Sequence, residues 1–449
     1  MKKITLLTIL FQTILSVAQT VDIPDENFKN ALLNQTPVID SNNDGEIQVT
    51  EAEATTMIVV FDSNISDLTG IAAFISLEFL QASFNSISEL DTSFFPNLET
   101  VSIASNDLQN LDFSENPNLV TIIASNNPLT SLDISNNTNL TVLNLNETLL
   151  QTIDVQNNTL LELIRIADAT TETLDITTLS ALNTLEISGS NITTIDLSQN
   201  ENLLTLQANN LALNTIDISN NPLLEILTVA GTSVATIDFS ANENLRLLNI
   251  SNTLFSELNP FVLPDLQFID FSQTDIQDID FSSNTALCNV FALSDKLETV
   301  NLQNGANEAF ENGGNCSVSA GFTSFSTPSE VFLMGNALAS VCVDNIQFAE
   351  ENFLVSTSAE FIEDCQLATD SNVFIDLAVY PNPTSDFVTI ESRMPISSVT
   401  IHNALGQRVG IFENLINEKT IDISSYDSGI YFMTITSNTI SEVKQLLKK

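Results

Sequence analysis

The chain repeats itself every 21 residues, and a fixed period of that length leaves few architectures open. Leucines open ten successive units at Leu77, Leu98, Leu119, Leu140, Leu161, Leu182, Leu203, Leu224, Leu245 and Leu266, and a partial eleventh unit opens at Leu287. The register never slips. Each unit reads roughly L-x-x-L-x-L-x-x-N/T, a turn, then L-D-I-S-x-N-x-x. One such unit cannot bury its own apolar face. Units stacked about 4.8 Å apart can, because each strand then pairs with the next coil and the apolar faces merge into one core.

The pattern is that of a leucine-rich repeat solenoid. Inward positions are the first, fourth, sixth, ninth, eleventh, fourteenth and sixteenth, for example Leu119, Ile122, Ala124, Asn127, Leu129, Leu132 and Ile134. The segment Ile122–Ala124 predicts a short strand of a parallel sheet, and Leu132–Ile134 a second strand on the opposite wall. The expected fold class is therefore mainly β, a flattened coil with two short strands per turn. The ninth position holds Asn85, Asn106, Asn127, Thr148, Ala169, Ser190, Leu211, Thr232, Thr253 and Thr274. Stacked Asn and Thr can bond the backbone of tight turns, so this row is read as a core ladder.

Charge narrows the partners. The 449 residues carry 12 basic and 57 acidic side chains, a formal charge of −45, which argues against nucleic acid. From Thr20 to Cys365 the only basic residues are Lys29, Arg165, Arg246 and Lys296. Lys2 and Lys3, the apolar run Ile4–Leu15 and the small residues Ser16–Ala18 read as a secretory signal cleaved before Gln19. No stretch reaches the roughly 18 apolar residues of a membrane span, so none is expected in the mature protein. Four cysteines, Cys288, Cys316, Cys342 and Cys365, lie where the repeats end. In an exported chain they predict two disulfides. Three connectivities are open, and Cys288–Cys316 with Cys342–Cys365 is favoured.

Ahead of the repeats, residues 40–51 match the twelve-residue EF-hand loop. Asp40, Asn42 and Asp44 supply the first oxygens and Gly45 the sharp turn. Glu46 offers its carbonyl, Gln48 acts through water, and Glu51 closes the shell. Helical signals flank it at Asp25–Leu33 and Thr50–Thr56. The expectation is a structural Ca2+ site holding a small helical cap; the other reading is an Asx-rich turn of similar composition.

Two surfaces stand out along the coil. The fifteenth position is Asp91, Asp112, Asp133, Asp154, Asp175, Asp196, Asp217, Asp238, then Asn259 and Asp280. These carboxylates face out and repel one another. Either they bond nearby backbone and the Ser or Thr two residues on, or they hold divalent ions. The outward positions of the first strand are mostly small and neutral, but Val142, Leu163, Ile226, Leu247 and Phe268 break that background, with Arg165 the lone cation. Exposed aliphatics there predict a ligand surface, or simple drift between units. No nucleophile elbow, phosphate loop, dinucleotide fingerprint or metal–His motif occurs, and enzymatic activity is not expected.

After Cys365 the repeats stop. Tyr380-Pro381-Asn382-Pro383, strands at Phe387–Ser392 and Val399–Asn403, the turn at Leu405-Gly406-Gln407, the strand holding Gly429 and Tyr431, and the basic end Lys444–Lys449 predict a small β-sandwich. This stretch resembles the type A sorting domain of the bacterial type IX (Por) secretion system. That resemblance implies a periplasmic intermediate, recognition by the outer-membrane translocon, and delivery outside or onto the cell surface. The 21-residue units resemble internalin-type repeats over Leu77–Val300, and imply protein or surface recognition. Where relatives with a cysteine ladder carry Cys at the sixth position, this chain has Ala82, Ile103, Ala124, Leu145, Ile166 and Ile187.

The expected organisation is a signal at 1–18, a cap at 19–76, repeats at 77–296, a C-terminal cap at 297–366, a linker at 367–378 and the sorting domain at 379–449. The leading function is a recognition or adhesion protein. The alternatives are a structural protein of the cell surface or matrix, and a polysaccharide-binding accessory. The absence of Trp, and of Tyr before the sorting domain, counts against the last, since sugars stack on aromatic faces.

Overall fold

The computed structural model describes residues 19–306, 315–328, 330–363, 378–391, 396, 398–403, 407–413, 420–436 and 441–449. The expected signal, Cys365 and Gly406 lie outside the described residues. The chain forms two compact units, Met1–Cys365 and Gln366–Lys449.

The first unit is a solenoid whose main wall is a 14-stranded parallel sheet. Its strands repeat in strict register: Thr121–Ile123 pairs with Val142–Asn144, which pairs with Leu163–Arg165. The middle residue of each strand points inward and is buried, as at Ile122, Leu143, Ile164 and Leu185. The ninth-position ladder forms as expected. Asn106 Oδ1 accepts from the Ile87 N–H at 2.9 Å, and Thr148 Oγ1 donates to the Leu145 carbonyl at 2.9 Å.

Each turn leaving the sheet passes through one left-handed residue at the eighth position, Ser105, Asn126, Glu147 and Asp168 among them. At Gly189 and Gly231 this left-handed residue is glycine, with φ +71° and +70°. A Cβ there would collide with Oδ1 of Asp168 or Asn210 in the preceding coil.

Two expectations are corrected. Strands on the second wall were expected in every coil, yet they occur only near the ends, at Asn110–Asp112 and Ser131–Asp133, then from Asp278–Asp280 to Glu360–Ile362. Between these, coils are joined by buried asparagines at the nineteenth position. Asn158 Nδ2 donates to the carbonyls of Ile134 at 3.0 Å and Asn137 at 2.8 Å, and Asn200, Asn221 and Asn242 repeat the arrangement. Asn116 and Asn137 make the same bonds in coils that do carry second-wall strands, so these amides tie coil to coil with or without a ladder. Second, the sheet does not end where the repeat pattern fades. It continues through Asn289–Leu293 into Glu330–Met334 and Leu354–Val355. The segment between Asn301 and Glu330 is an insertion, and it carries an antiparallel hairpin, Asn315–Ala320 with Thr323–Pro328.

The N-terminal cap has helices Glu26–Asn34 and Val49–Ala54. Asp25 caps the first, accepting from Asn27 and Phe28 N–H, and its other oxygen accepts from Ser66 and Asp67 N–H. One carboxylate thereby ties the cap to the coil beneath it.

The second unit is a sandwich of a three-stranded and a four-stranded antiparallel sheet. Val388, Ile390, Val399, Ile401, Ile421, Met433, Ile435 and Leu446 form its core.

Candidate functional site

The outward face of the long sheet was expected to be open, and for much of its length it is not. The inserted hairpin lies across it, passing from coil to coil. Cys316 is disulfide-bonded to Cys288. Val318 and Ala320 form an apolar cluster with Ile226 and Leu247, flanked by Phe268 and Phe325. The Ala320 carbonyl accepts from Thr205 Oγ1 at 3.0 Å, and the Phe322 N–H donates to Thr184 Oγ1 at 3.2 Å. Thr323 Oγ1 donates to Glu186 Oε1 at 2.9 Å. Gly321 at the tip has φ +56°, and a Cβ there would collide with Thr184 Oγ1.

This corrects the reading of the aliphatic outward residues. Ile226 is 0% exposed and Leu247 2%, both beneath the hairpin, and Leu163 is also buried at 2%. Val142, Arg165 and Phe268 are half-buried. Nor is Arg165 a free cation. Its guanidinium makes a two-point contact with Glu186, Nε to Oε2 at 2.7 Å and Nη2 to Oε1 at 3.2 Å, and it reaches the Phe322 carbonyl at 3.5 Å. Ile226, Leu247, Phe268 and Arg165 form a seat for the chain's own hairpin, and Val142 lies outside it. The signal was present as the alternation Cys316-Ser317-Val318-Ser319-Ala320 before Gly321. Its seat, however, lies some hundred residues away in sequence. Cys342 is disulfide-bonded too, and Cys365 lies outside the described residues.

N-terminal to the hairpin the face stays accessible. Phe79, Gln81, Thr100, Thr121, Ile123, Val142 and Asn144 are half-buried with no hairpin contact among the described residues, and Met57 and Val59 are each 36% exposed. At its margin Phe61 and Phe84 pack edge to face with centroids 5.1 Å apart, and both remain about half exposed.

On the second wall each aspartate closes a turn. Asp133 Oδ1 accepts from the Ser135 N–H at 2.9 Å, and Asp91, Asp175, Asp196, Asp217 and Asp238 do the same with the Ser or Thr two residues on. Hydrogen bonds from the Thr177 hydroxyl and N–H hold the Asp175 carboxyl below its usual range. Asp196 is lowered by the backbone and side chain of Ser198, although Asp175 and Asp217 push it upward. The local bonds outweigh repulsion along the ladder. Among the described residues no group of three or more His, Cys, Asp or Glu side chains gathers as a metal site. A carboxyl whose pKa is lowered by folding stabilises the fold above its unfolded value, near 4, and loses that contribution as pH falls through the folded value. The thermal midpoint of the coil should therefore drop as pH is lowered below about 4. Asn at positions 133, 175 and 217 together should flatten that slope, and an unchanged slope would reject the ladder as its source.

In the cap loop, Asp40 accepts from the N–H groups of Asp44 and Gly45. Asn42 Oδ1 accepts from the Asp44 N–H, and the Asn42 and Gln48 amides donate to the Asp44 carboxylate. Those bonds, with the Glu46 N–H the largest contributor, hold the Asp44 carboxyl low. Glu51 is turned toward Ser41 and the Gln48 N–H, where it closes a capping box. Burial pushes its carboxyl up, but these bonds outweigh it. Glu46 forms an ion pair with Lys29 at 2.7 Å. The loop has the turn of a cation loop, but of its four carboxylates Asp40, Asp44 and Glu51 are occupied by the loop's own donors and Glu46 by Lys29.

In the second unit Ser398–Asn403 and Arg408–Glu413 form an antiparallel pair, and Leu405 and Gly406 of the expected turn lie outside the described residues. Gly429 and Tyr431 lie on the inner strand Gly429–Thr436, and the Tyr431 hydroxyl donates to the Asp427 carbonyl at 2.9 Å. Tyr380 ends the strand Ala378–Tyr380, and the residues after it meet the last strand of the chain.

Residues 378–449 match the family of secretion system C-terminal sorting domains. This part of the chain is a type IX sorting domain. The sorting domain directs export by the type IX system to the cell surface or beyond it, and among the described residues no helix is long and apolar enough to cross a membrane. The whole chain is similar in fold to the functional domain of InlJ from Listeria monocytogenes, which includes a cysteine ladder. The TM-score is 0.60 at 21% identity, covering 96% of this chain and 98% of that one. An internalin, inlF, from L. monocytogenes str. 4b F2365 gives a TM-score of 0.50 at 18% identity, over 79% of this chain and 100% of that one. The solenoid is thus of the leucine-rich repeat fold. A stretch of 81 residues is 37% identical to ulvan lyase NLR42 of Nonlabens ulvanivorans, and spans 17% of this chain and 15% of that protein.

Proposed function

We propose that the exported solenoid is a non-catalytic recognition or adhesion protein that holds a protein or surface ligand on the open part of its long sheet. The observation that carries this reading is the uncovered run of neutral and apolar outward residues, Phe79, Ile123 and Val142 with the Phe61–Phe84 pair beside them, on a chain of charge −45. The strand residues of this stretch, 79–81, 100–102, 121–123 and 142–144, carry no acidic side chain, and Glu78 and Glu99 border them. The test is capture of partners by the intact mature protein, followed by Val142→Asp and Phe79→Asp. Both should weaken capture by about tenfold or more if these side chains are anchors, with little change in melting, because they point away from the core. Equal capture by both variants would favour the structural-protein reading.

The loop at residues 40–51 is proposed to bind Ca2+ in a structural role. Its spacing and its turn at Gly45 support this, and binding requires the Asn42 and Gln48 amides to turn their oxygens inward and Glu51 to leave its capping box. Calcium in excess should stabilise the fold by about 0.6 kcal/mol for each unit of ln([Ca]/Kd), and the melting midpoint should rise with it. The Asp40→Ala, Glu51→Ala double variant should lose the shift, and an undiminished shift would remove the loop as the site.

A further inference from the structure

The opening motif of the sorting domain grips the end of the chain. Ser441–Lys448 is the outer strand of the four-stranded sheet, paired on its inner side with Gly429–Thr436. An outer strand leaves every second residue's backbone groups pointing away from the ladder. Over the last residues those groups are taken. Asn382 Nδ2 donates to the Gln445 carbonyl at 2.7 Å, and its Oδ1 accepts from the Leu447 N–H at 2.9 Å. The Thr384 N–H donates to the Leu447 carbonyl at 2.9 Å, and the Thr384 carbonyl accepts from the Lys449 N–H at 2.8 Å. Gln445, Leu447 and Lys449 are the alternate residues that face outward, and residues 382–384 engage all three.

The Asn382 amide stands where a peptide group of a fifth strand would stand, one donor and one acceptor at the right separation. Pro381 and Pro383 flank it, and neither has a backbone N–H to offer, so the side chain supplies the donor. Asp in its place could accept but not donate, and Leu could do neither.

We propose that Asn382 is the positioning residue that fixes the pose of the terminal strand, and with it the basic end Lys444–Lys449, for reading by the type IX export machinery. The inference rests on the sorting-domain assignment. It concerns one side chain within that domain and the strand it holds.

The experiment uses the full-length chain in a bacterium with a type IX system. The variants are Asn382→Leu, Asn382→Asp and Leu447→Pro; the last removes the accepted N–H from the other side, at a residue 43% exposed whose amide is outside the ladder. Two quantities are read: amide exchange along the terminal and inner strands, and the exported against the periplasmic fraction. Asn382→Leu should speed exchange at Leu447 by about tenfold while Gly429–Thr436 stays protected. The exported fraction should fall severalfold, with Asn382→Asp intermediate because it keeps the acceptor. Leu447→Pro should reproduce the export defect, and it decides the matter if Asn382→Leu does not accumulate. Normal export despite fast exchange at Leu447 would overturn the proposal. So would equal acceleration across Gly429–Thr436, which would make Asn382 a general stabiliser of the domain. Export of a chain lacking residues 378–449 would instead refute the sorting-domain assignment.

Discussion

Deleting residues 378–449 should leave the protein in the periplasm, with export to the surface or medium lost almost completely. The sorting domain is a separate compact unit with its own core, so its removal takes away the export signal without opening the solenoid. The truncated protein should therefore accumulate folded, with the melting behaviour of the intact coil. Fractionation into periplasm, surface and medium is the measurement. If the truncated chain still reached the medium, the solenoid itself would carry the export information.

The second large effect is expected at the hairpin. Val318→Asp places a carboxylate against Ile226 and Leu247 in a strip from which water is excluded. Burying an unpaired charge costs far more than the hairpin gains there, since each covered aliphatic side chain contributes only about 1.5–3 kcal/mol. The hairpin should lift while Cys288–Cys316 keeps it attached. Binding of a hydrophobic dye should rise severalfold, and proteases should cut within residues 315–328. The coil should melt nearly as before, because Leu227 and Leu248 face the core from the other side of the same strands. Removing the disulfide as well opens a 28-residue loop, worth about 3–4 kcal/mol in chain entropy, and should loosen the hairpin further. Unchanged dye binding and unchanged cleavage in Val318→Asp would mean that the hairpin does not hold this strip in solution.

Much of this molecule was readable residue by residue. The inward rows, the Asn and Thr ladder, the cap helices and the paired sheets of the second unit follow from local periodicity and turn chemistry. In a stacked coil each residue meets the same position one period away, so a pattern repeated in sequence becomes a contact in space. The fifteenth-position aspartates were readable for the same reason, because their partner is always two residues on. The nineteenth-position asparagines appear in the repeat as plainly, but their role does not. Only the packed coil places each amide beside the carbonyls of the preceding coil.

The candidate site was less legible. The outward aliphatics were rightly seen as out of place on a solvated face, yet what covers them could not be read from their neighbours. Thr184 meets Phe322 at a separation of 138 residues, and Thr205 meets Ala320 at 115. No period relates those partners. By itself, then, the sequence determined the coil, its register and the export domain, because each depends on contacts at short or repeated spacing. Only the tertiary structure decided which part of the long sheet is closed and which stays open, because that depends on where one inserted hairpin comes to rest, and its resting place is set by non-repeating contacts between distant residues.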